Sequence, residues 1–320
     1  MLKYLGSRID TVLPYLRRRR IFEGLPGRSM EGIRFLELSN CWIRFVVAGQ
    51  GPHTIVIAPD SPVTMEAYAE VLAILSQKYR VLIFETPSFG FSLPKPGFDF
   101  SFEAMTETMA EFLRRMNMGP YVLAIPCVAG FSAIAIARRY PDMVTALVST
   151  QTPSWRQERH WLRSLDRMRA LTWPIWAQLL GLYLRRKTHF VHKFTTQQRR
   201  ESLMALSQQT LAQGANNPLA SACQCYMPHP REPGWLGKVP QPAISIWGTG
   251  DKTHLRVSTD RRSILRYLPD AQLLDFPEAG HFVEAEVPEK FARAVMAFVE
   301  ALPTARGATP EPRADFASGM

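Results

Sequence analysis

The sequence is poor in cysteine and has no long apolar run. Its four cysteines in 320 residues are scattered, which favours reduced thiols over a disulfide-stabilised fold. Cys223 and Cys225 are too close together for a CxxC motif, so we interpret them as buried helix residues and not as metal ligands. No stretch is long enough to cross a bilayer, and the N-terminus lacks the apolar core of a secretory signal. These absences predict a cytoplasmic protein without a transmembrane segment.

Basic residues are in excess, but not in the arrangement of a nucleic-acid reader. The formal net charge is +10, with eight Lys and Arg against three Asp and Glu in residues 1–36 and thirteen against four in residues 153–240. No nucleic-acid-binding motif accompanies either stretch, so we expect no nucleic-acid partner.

Apolar strand patterns alternate with helical patterns along most of the chain. The strand patterns are short apolar or alternating runs at residues 33–38, 42–47, 54–58, 80–84, 121–125, 144–148, 243–247 and 271–276. The helical patterns between them cover residues 65–77, 102–116, 131–140, 258–267 and 288–302. Alternation of this kind predicts an α/β fold with a doubly wound, mostly parallel sheet.

A purely helical pattern interrupts this alternation after the sixth strand. Parallel sheets bind ligands outside the carboxyl ends of their strands, so we interpret residues 153–238 as a helical lid over that edge. The α/β core then comprises residues 31–152 and 239–302. Residues 1–30 form a basic amphipathic arm, and residues 303–320 form a tail that we expect to be disordered.

One cysteine lies where a buried strand turns sharply into a helix. The strand at 121–125 is followed by Pro126 and Cys127 and then by a helix. A nucleophile at the apex of such a strand–turn–helix unit is a nucleophile elbow, which usually reads G-x-S-x-G. Asp251 follows a later strand, and His281 follows Ala-Gly in a loop further on. The order is therefore nucleophile, acid, histidine.

With these residues the chain resembles the α/β-hydrolase superfamily, in the branch that carries a cap, with cysteine in place of serine at the elbow. The loop at 85–92 resembles the family's D-x-P-G-x-G-x-S segment, and residues 59–62 stand in place of its H-G-x-P loop. The resemblance implies the α/β-hydrolase fold and a catalytic triad of Cys127, His281 and Asp251.

The implied chemistry is hydrolysis or acyl transfer through a thioester. His281 would accept the proton of Cys127, whose pKa we expect to be lowered beside an imidazolium, and Asp251 would orient the ring. The backbone amides of Val128 and Ser61 would form the oxyanion hole. The resemblance implies neither a metal nor an organic cofactor.

Three positions depart from the family pattern and keep other interpretations open. Ile125 is large for its place two residues before the nucleophile, and Pro126 removes a backbone N–H. Asp60 puts a carboxylate in the oxyanion loop, where we favour a solvated or turn-capping role over acid–base work. Cys127 could then be an inert buried thiol. Because the elbow holds no carboxylate, we do not expect haloalkane dehalogenase or epoxide hydrolase chemistry.

Aromatic residues in the cap predict an apolar cavity beneath it. Trp155, Trp161 and Phe282 are candidate lining residues, together with Asp60 and Pro126. We therefore expect a hydrophobic small-molecule substrate with an ester, lactone or thioester carbonyl. The basic runs at residues 185–187 and 199–200 are either solvated helix faces or a docking surface for a CoA- or carrier-protein-bound acyl group.

Further alternatives remain open at this point. His281 could act as a base for a cyclase, lyase or C–C bond-forming reaction in which Cys127 does not attack, or the protein could be a ligand-binding pseudoenzyme. Asp251 could cap the segment that follows it, and His281 could be structural. The N-terminal arm could make a weak peripheral membrane contact, although we favour packing on the protein.

Overall fold

A computed structural model describes residues 11, 12, 16, 32–165, 189–215 and 231–302. No helix within these ranges is long and apolar enough to span a membrane. The predictions for the tail, for Cys223 and Cys225 and for the basic run at 185–187 lie outside the described residues. Those for the N-terminal arm lie almost wholly outside them.

Nine strands form one sheet in the described part of the chain. They are β1 Arg34–Glu37, β2 Cys41–Ala48, β3 Thr54–Ile57, β4 Arg80–Phe84, β5 Leu93–Pro94, β6 Tyr121–Ala124, β7 Val144–Thr150, β8 Ala243–Gly248 and β9 Gln272–Phe276. Their order is β1-β2-β4-β3-β6-β7-β8-β9, and β5 pairs with β2. Along this order the pairings from β4 through β3, β6, β7 and β8 to β9 are all parallel. The pairings of β2 with β1, β4 and β5 are antiparallel. The predicted mostly parallel, doubly wound sheet is confirmed.

Helices flank the sheet and cover its carboxyl edge. They are α1 Ala69–Leu75, α2 Phe102–Met116, α3 Cys127–Arg139, α4 Trp155–Leu165, α5 His189–Phe194, α6 Gln197–Ala212, α7 Lys252–Arg256, α8 Val283–Glu286 and α9 Pro288–Glu300. Short 3-10 turns lie at Met65–Tyr68, Pro141–Met143 and Arg261–Arg266. The α-helices α4 to α6 come from the segment that we predicted as the cap.

Two helix predictions need correction. The helix predicted at 131–140 begins four residues earlier, because the chain enters helical geometry at the elbow itself. The helix predicted at 258–267 is wrong: a short helix ends at Arg256, and a 3-10 turn follows at Arg261–Arg266. Both short elements are capped by aspartates, since Asp251 accepts from two backbone N–H groups and Asp260 from one.

The core packs around strands that are buried on both faces. Every residue of β3 and β6 is buried, as the continuously apolar runs predict for central parallel strands. Trp155, which we expected to line the site, packs in this core instead. Its ring meets Phe102 and Phe131 edge-on, with centroids 5.6 and 5.0 Å apart. Such aromatic pairs stabilise a fold by about 0.5–1.5 kcal/mol beyond the area that they bury.

The parallel strands bring distant residues to one edge of the sheet. Asp60 follows β3, Cys127 follows β6, Asp251 follows β8 and His281 follows β9. Because the carboxyl ends of parallel strands point the same way, these four residues meet there, and α4 begins just after β7 above them.

Candidate active site

Cys127 occupies the apex of a strained turn. Its φ is +50°, in the left-handed region that costs a non-glycine residue free energy and that is over-represented at functional sites. Pro126 stays extended before it, and its carbonyl accepts the N–H of Gly130 at 3.0 Å. A Cβ on Gly130 would lie 2.5 Å from Oγ1 of Thr152, whose hydroxyl donates to the Cys127 carbonyl at 3.0 Å. The elbow therefore depends on this glycine.

The predicted acid and histidine are in direct contact. Nδ1 of His281 lies 2.7 Å from Oδ2 of Asp251, and both side chains are buried. The sulfur of Cys127 and a ring nitrogen of His281 lie within 4.8 Å of one another. The structure thus brings the three residues of the predicted triad together.

Asp251 is fixed by several donors besides the histidine. Its Oδ1 accepts from the backbone N–H and the hydroxyl of Thr253 at 2.8 and 2.6 Å, and its Oδ2 accepts from Nε2 of Gln151 at 3.2 Å. Burial alone would raise the pKa of Asp251, but the hydrogen bond and charge of His281 outweigh it and lower that pKa to about 2. Asp251 therefore both caps α7 and binds the histidine.

Stacked rings hold the imidazole in place. Trp161 of α4 lies nearly parallel to His281 and to His254, with centroids 5.1 and 4.4 Å away. The indole N–H donates to the Thr253 hydroxyl at 2.9 Å. Burial lowers the pKa of His254 to about 3, so this second imidazole is neutral. Trp161 thus connects α4 directly to the histidine.

Asp60 contacts the other nitrogen of the same imidazole. Its Oδ2 lies 2.9 Å from Nε2 of His281, within ion-pair distance, although the angle falls short of a well-formed hydrogen bond. Tyr68 holds the loop, because its phenol oxygen accepts the Asp60 backbone N–H at 3.1 Å. Only 12% of the Asp60 side chain is exposed. The preference for a solvated or turn-capping Asp60 was therefore wrong.

A second carboxyl group contacts the cysteine. The Cys127 thiol donates to Oε1 of Glu158 in α4 at 3.7 Å, and Oε2 of Glu158 has no hydrogen-bond partner among the described residues. Glu158 is fully buried, and burial raises its pKa to about 8. A neutral, proton-bearing carboxyl therefore faces the sulfur at pH 7.

The charges around the sulfur contradict the expected low pKa of the thiol. Burial raises the pKa of Cys127 well above its ordinary value, and Asp60 and Glu158 raise it further, while His281 opposes them. Burial disfavours a charged ring, yet the negative charge of an ionised Cys127 and the contacts with Asp251 and Asp60 outweigh it and raise the pKa of His281. At rest we therefore assign a neutral thiol, beside an imidazole whose two nitrogens each face a carboxyl group, Asp251 at Nδ1 and Asp60 at Nε2.

Aromatic side chains close the site around the histidine. The rings of Phe282 and Phe194 lie 5.5 and 5.3 Å from the imidazole, and the Phe194 carbonyl accepts the backbone N–H of His281 at 2.8 Å. Val128 and Ser61, the residues predicted for the oxyanion hole, directly follow Cys127 and Asp60 in the chain and so lie beside the site.

Among the residues that the structure describes, two groups of side chains have donor atoms close enough together to share a cation. One comprises Asp60, Cys127 and His281, and the other Asp251, His254 and His281, each within 4.8 Å. The first would use the thiolate itself as a ligand, which would block its attack on a substrate. In the second, Asp251 and Nδ1 of His281 already hydrogen-bond to each other. In both groups, atoms that could bind a cation are therefore also atoms that form the contacts of the predicted triad.

Sequence reasoning missed three residues of the site. Glu158 lies three residues from both Trp155 and Trp161, so it shares the apolar face of α4, and an acid on such a face was a signal that could have revealed it. Gln151 and His254 gave no comparable signal, because their roles depend on loops that only the folded sheet brings together.

Comparisons with known proteins agree with this architecture. The family model described as "Alpha/beta hydrolase family" matches residues 47–294. Haloalkane dehalogenase 2 of Mycobacterium tuberculosis H37Rv is 22% identical over 276 residues, which cover 82% of this chain and 93% of that protein. The 2-hydroxy-6-oxo-6-(2'-aminophenyl)hexa-2,4-dienoic acid hydrolase of Metapseudomonas resinovorans is 23% identical, with 83% and 90% covered. A thermophilic esterase from Thermogutta terrifontis superimposes with a TM-score of 0.63 at 16% identity over 83% of this chain and 98% of its own.

Proposed function

Because the chain belongs to the alpha/beta hydrolase family, we propose that it attacks the carbonyl of a hydrophobic ester, lactone or thioester through Cys127, by hydrolysis or acyl transfer. The observation that carries this proposal is the arrangement at the elbow. Cys127 sits at a strained apex within 4.8 Å of an imidazole nitrogen of His281, whose Nδ1 is 2.7 Å from Asp251. A nucleophile, a base and an orienting acid in contact are the requirements of covalent acyl transfer.

Asp60 supplies a step that the usual triad lacks. In this mechanism His281 starts protonated, so it can accept the thiol proton at Nε2 only after it gives up the proton already there, and Oδ2 of Asp60 lies 2.9 Å away to take it. The Cys127 sulfur then forms a bond to the carbonyl carbon while the thiol proton passes to Nε2. The carboxylate in the oxyanion loop, which had argued against catalysis, thereby becomes the proton acceptor.

The surroundings of the sulfur favour an apolar acyl group. Cys127 belongs to a buried hydrophobic cluster, and partly buried Val128 packs against it. Cap residues join this cluster, namely Trp161, Val191, Phe194 and Leu203. An acyl chain among these side chains would gain about 0.8 kcal/mol for each methylene that it buries.

The names of the similar proteins point to two kinds of chemistry, attack on a carbonyl and dehalogenation. A dienoic acid hydrolase and an esterase are compatible with attack on a carbonyl, which supports the proposal. Dehalogenation is the activity named for another relative, but it would call for a carboxylate where this chain has Cys127. We therefore propose carbonyl chemistry.

A CoA- or carrier-protein-bound acyl group and a cytoplasmic location remain proposals. Within the basic run at 199–200, Arg199 is paired on both nitrogens with Glu70 at 2.6 and 2.7 Å. This pairing reduces the charge that the run offers to an anionic carrier.

A second candidate function uses His281 without a covalent intermediate. It is favoured by Asp60, because an imidazolium between two carboxylates can exchange protons with a bound substrate while the thiol stays intact. A cyclase, lyase or C–C bond-forming enzyme would need only that pair.

Intact-mass measurement after brief exposure to activated acyl esters and thioesters distinguishes the two. The proposal expects a single acyl adduct on the wild type that maps to Cys127 and is absent from Cys127→Ala. His281→Ala should form it more slowly. Turnover that survives Cys127→Ala but is lost in His281→Ala and Asp60→Asn would establish the second candidate instead.

A further inference from the structure

Glu158 places a second proton-carrying group against the reacting sulfur, in addition to the triad histidine. It comes from the cap helix α4 and is 1% exposed, and its Oε1 accepts the Cys127 thiol at 3.7 Å. Its Oε2 is buried without a hydrogen-bond partner in the described residues. A buried carboxyl oxygen left unpaired beside a nucleophile costs free energy, and such a cost is expected where a substrate completes the bonding.

The histidine is not free to serve every proton transfer. Nε2 of His281 is already opposed by Oδ2 of Asp60 at 2.9 Å, and Nδ1 is held by Asp251. In the proposed acylation step Nε2 receives the thiol proton while it still faces Asp60, and Glu158 offers a second proton for the departing oxygen or sulfur. Glu158 is adjacent to the bond that breaks, because that bond is made to the carbon that Cys127 attacks.

We propose that Glu158 is the catalytic acid that protonates the leaving group, and the base that later activates water. This inference rests on the proposed covalent function of Cys127 but assigns a residue that the triad does not include. It gives the cap a chemical role in addition to enclosing the substrate.

The protons balance across both steps. In acylation the S–C bond forms and the bond from carbon to the leaving group breaks, the thiol proton moves to His281, the Nε2 proton moves to Asp60, and the Glu158 proton moves to the leaving group. In deacylation Glu158 takes a proton from water while the resulting hydroxide attacks the thioester carbon. The C–S bond breaks, and the proton held by Asp60 returns through His281 to the sulfur.

The first test varies the leaving group. A p-nitrophenolate departs without a proton, whereas an ethoxide needs one, so p-nitrophenyl butyrate and ethyl butyrate separate the acid from the rest of the site. We expect Glu158→Gln to raise the ratio of kcat/KM for the p-nitrophenyl ester over the ethyl ester by about 10²-fold, the lower end of general acid catalysis. An equal loss on both esters would indicate a structural role and overturn the inference.

The matched control is Glu284→Gln. Glu284 is also fully buried, and neither of its carboxyl oxygens has a hydrogen-bond partner among the described residues. The same chemical change there should leave the ester ratio unchanged. If Glu284→Gln shifts the ratio as much as Glu158→Gln does, the shift results from changing any buried carboxyl group, and the assignment of Glu158 as the acid is wrong.

The second test needs no substrate. Four titratable or charged groups act on Glu158 from the neighbouring elements, namely Cys127 of α3, His281 after β9, Asp60 after β3 and Asp251 after β8. When Glu158 ionises above pH 8, its charge should disfavour the thiolate of Cys127. The rate of Cys127 alkylation by iodoacetamide should therefore stop rising with pH in the wild type. In Glu158→Gln the rate should keep rising. Superimposable profiles would overturn the inference, whereas ester turnover that persists in Cys127→Ala would refute the proposed function itself.

Discussion

Replacing Glu158 with glutamine should make the protein more stable, and by an amount that depends on pH. Burial raises the pKa of this carboxyl from 4.5 to about 8. The folded protein therefore holds the proton more tightly than the unfolded chain does. Its contribution to stability is complete below the unfolded pKa and is lost progressively as the pH rises towards the folded one. Glutamine carries no such penalty at any pH.

The magnitude follows from the size of the shift. Each pKa unit corresponds to roughly 1.4 kcal/mol, so the full loss above pH 8 is on the order of 5 kcal/mol. At pH 5 the loss is below roughly 1 kcal/mol, and at pH 7 it is roughly 3 kcal/mol. The stability difference between Glu158→Gln and the wild type should thus grow by roughly 2–3 kcal/mol from pH 5 to pH 7. Comparing two pH values cancels the cost of fitting the amide, because glutamine is neutral at both.

Urea denaturation at pH 5, 6, 7 and 8 measures this difference. Glu201→Gln is the control, since that side chain is exposed on α6. A difference between Glu158→Gln and the wild type that stays constant with pH, or that shrinks as pH rises, would refute the reasoning. The expected gain in stability with a loss of activity is common at functional sites.

Three further substitutions test other parts of the structure. Asp251→Asn should slow acylation by roughly 10³–10⁴-fold, as loss of the orienting acid does in other triads of this kind. Single-turnover kinetics measure the acylation rate, and a decrease of less than about tenfold would contradict this expectation. Gly248→Ala should lower the unfolding free energy by about 1–3 kcal/mol and abolish the acyl adduct. Its Cβ would lie 1.9 Å from the Gly280 carbonyl oxygen, forcing apart the loops of the acid and the histidine, and a melting temperature equal to that of the wild type would refute this. Arg44→Met should lower the free energy of unfolding by about 3–5 kcal/mol, because the fully buried Glu85, 2.9 Å from the guanidinium, would lose its cation. A decrease below about 1 kcal/mol in urea denaturation would contradict this expectation.

The fold could be predicted because its signals are local. Continuous apolar runs such as residues 54–58 and 121–125 mark central parallel strands, and the turn at Cys127 follows directly from one of them. The chain order of Cys127, Asp251 and His281 then fixes which loops must meet at the carboxyl edge of the sheet.

The electrostatics of the site could not be predicted in the same way. A lowered thiol pKa was expected because His281 was considered as the neighbour of Cys127, without Asp60 and Glu158. These two carboxyls come from separate parts of the chain: the parallel pairing of β3 brings Asp60 to the site, and the packing of α4 on the sheet brings Glu158. Burial, the largest influence on the Cys127 pKa, is likewise a property of the assembled core.

The position of helix α4 bears on the order of substrate entry and catalysis. Glu158 and Trp161 lie three residues apart on its inner face, so one contacts the sulfur and the other covers the histidine. On the proposed mechanism, an outward movement of this helix would remove the proton donor and uncover the imidazole at the same time. Substrate entry by that route and bond breaking would then be separate steps, because the bond breaks only when α4 lies against the sulfur and the histidine.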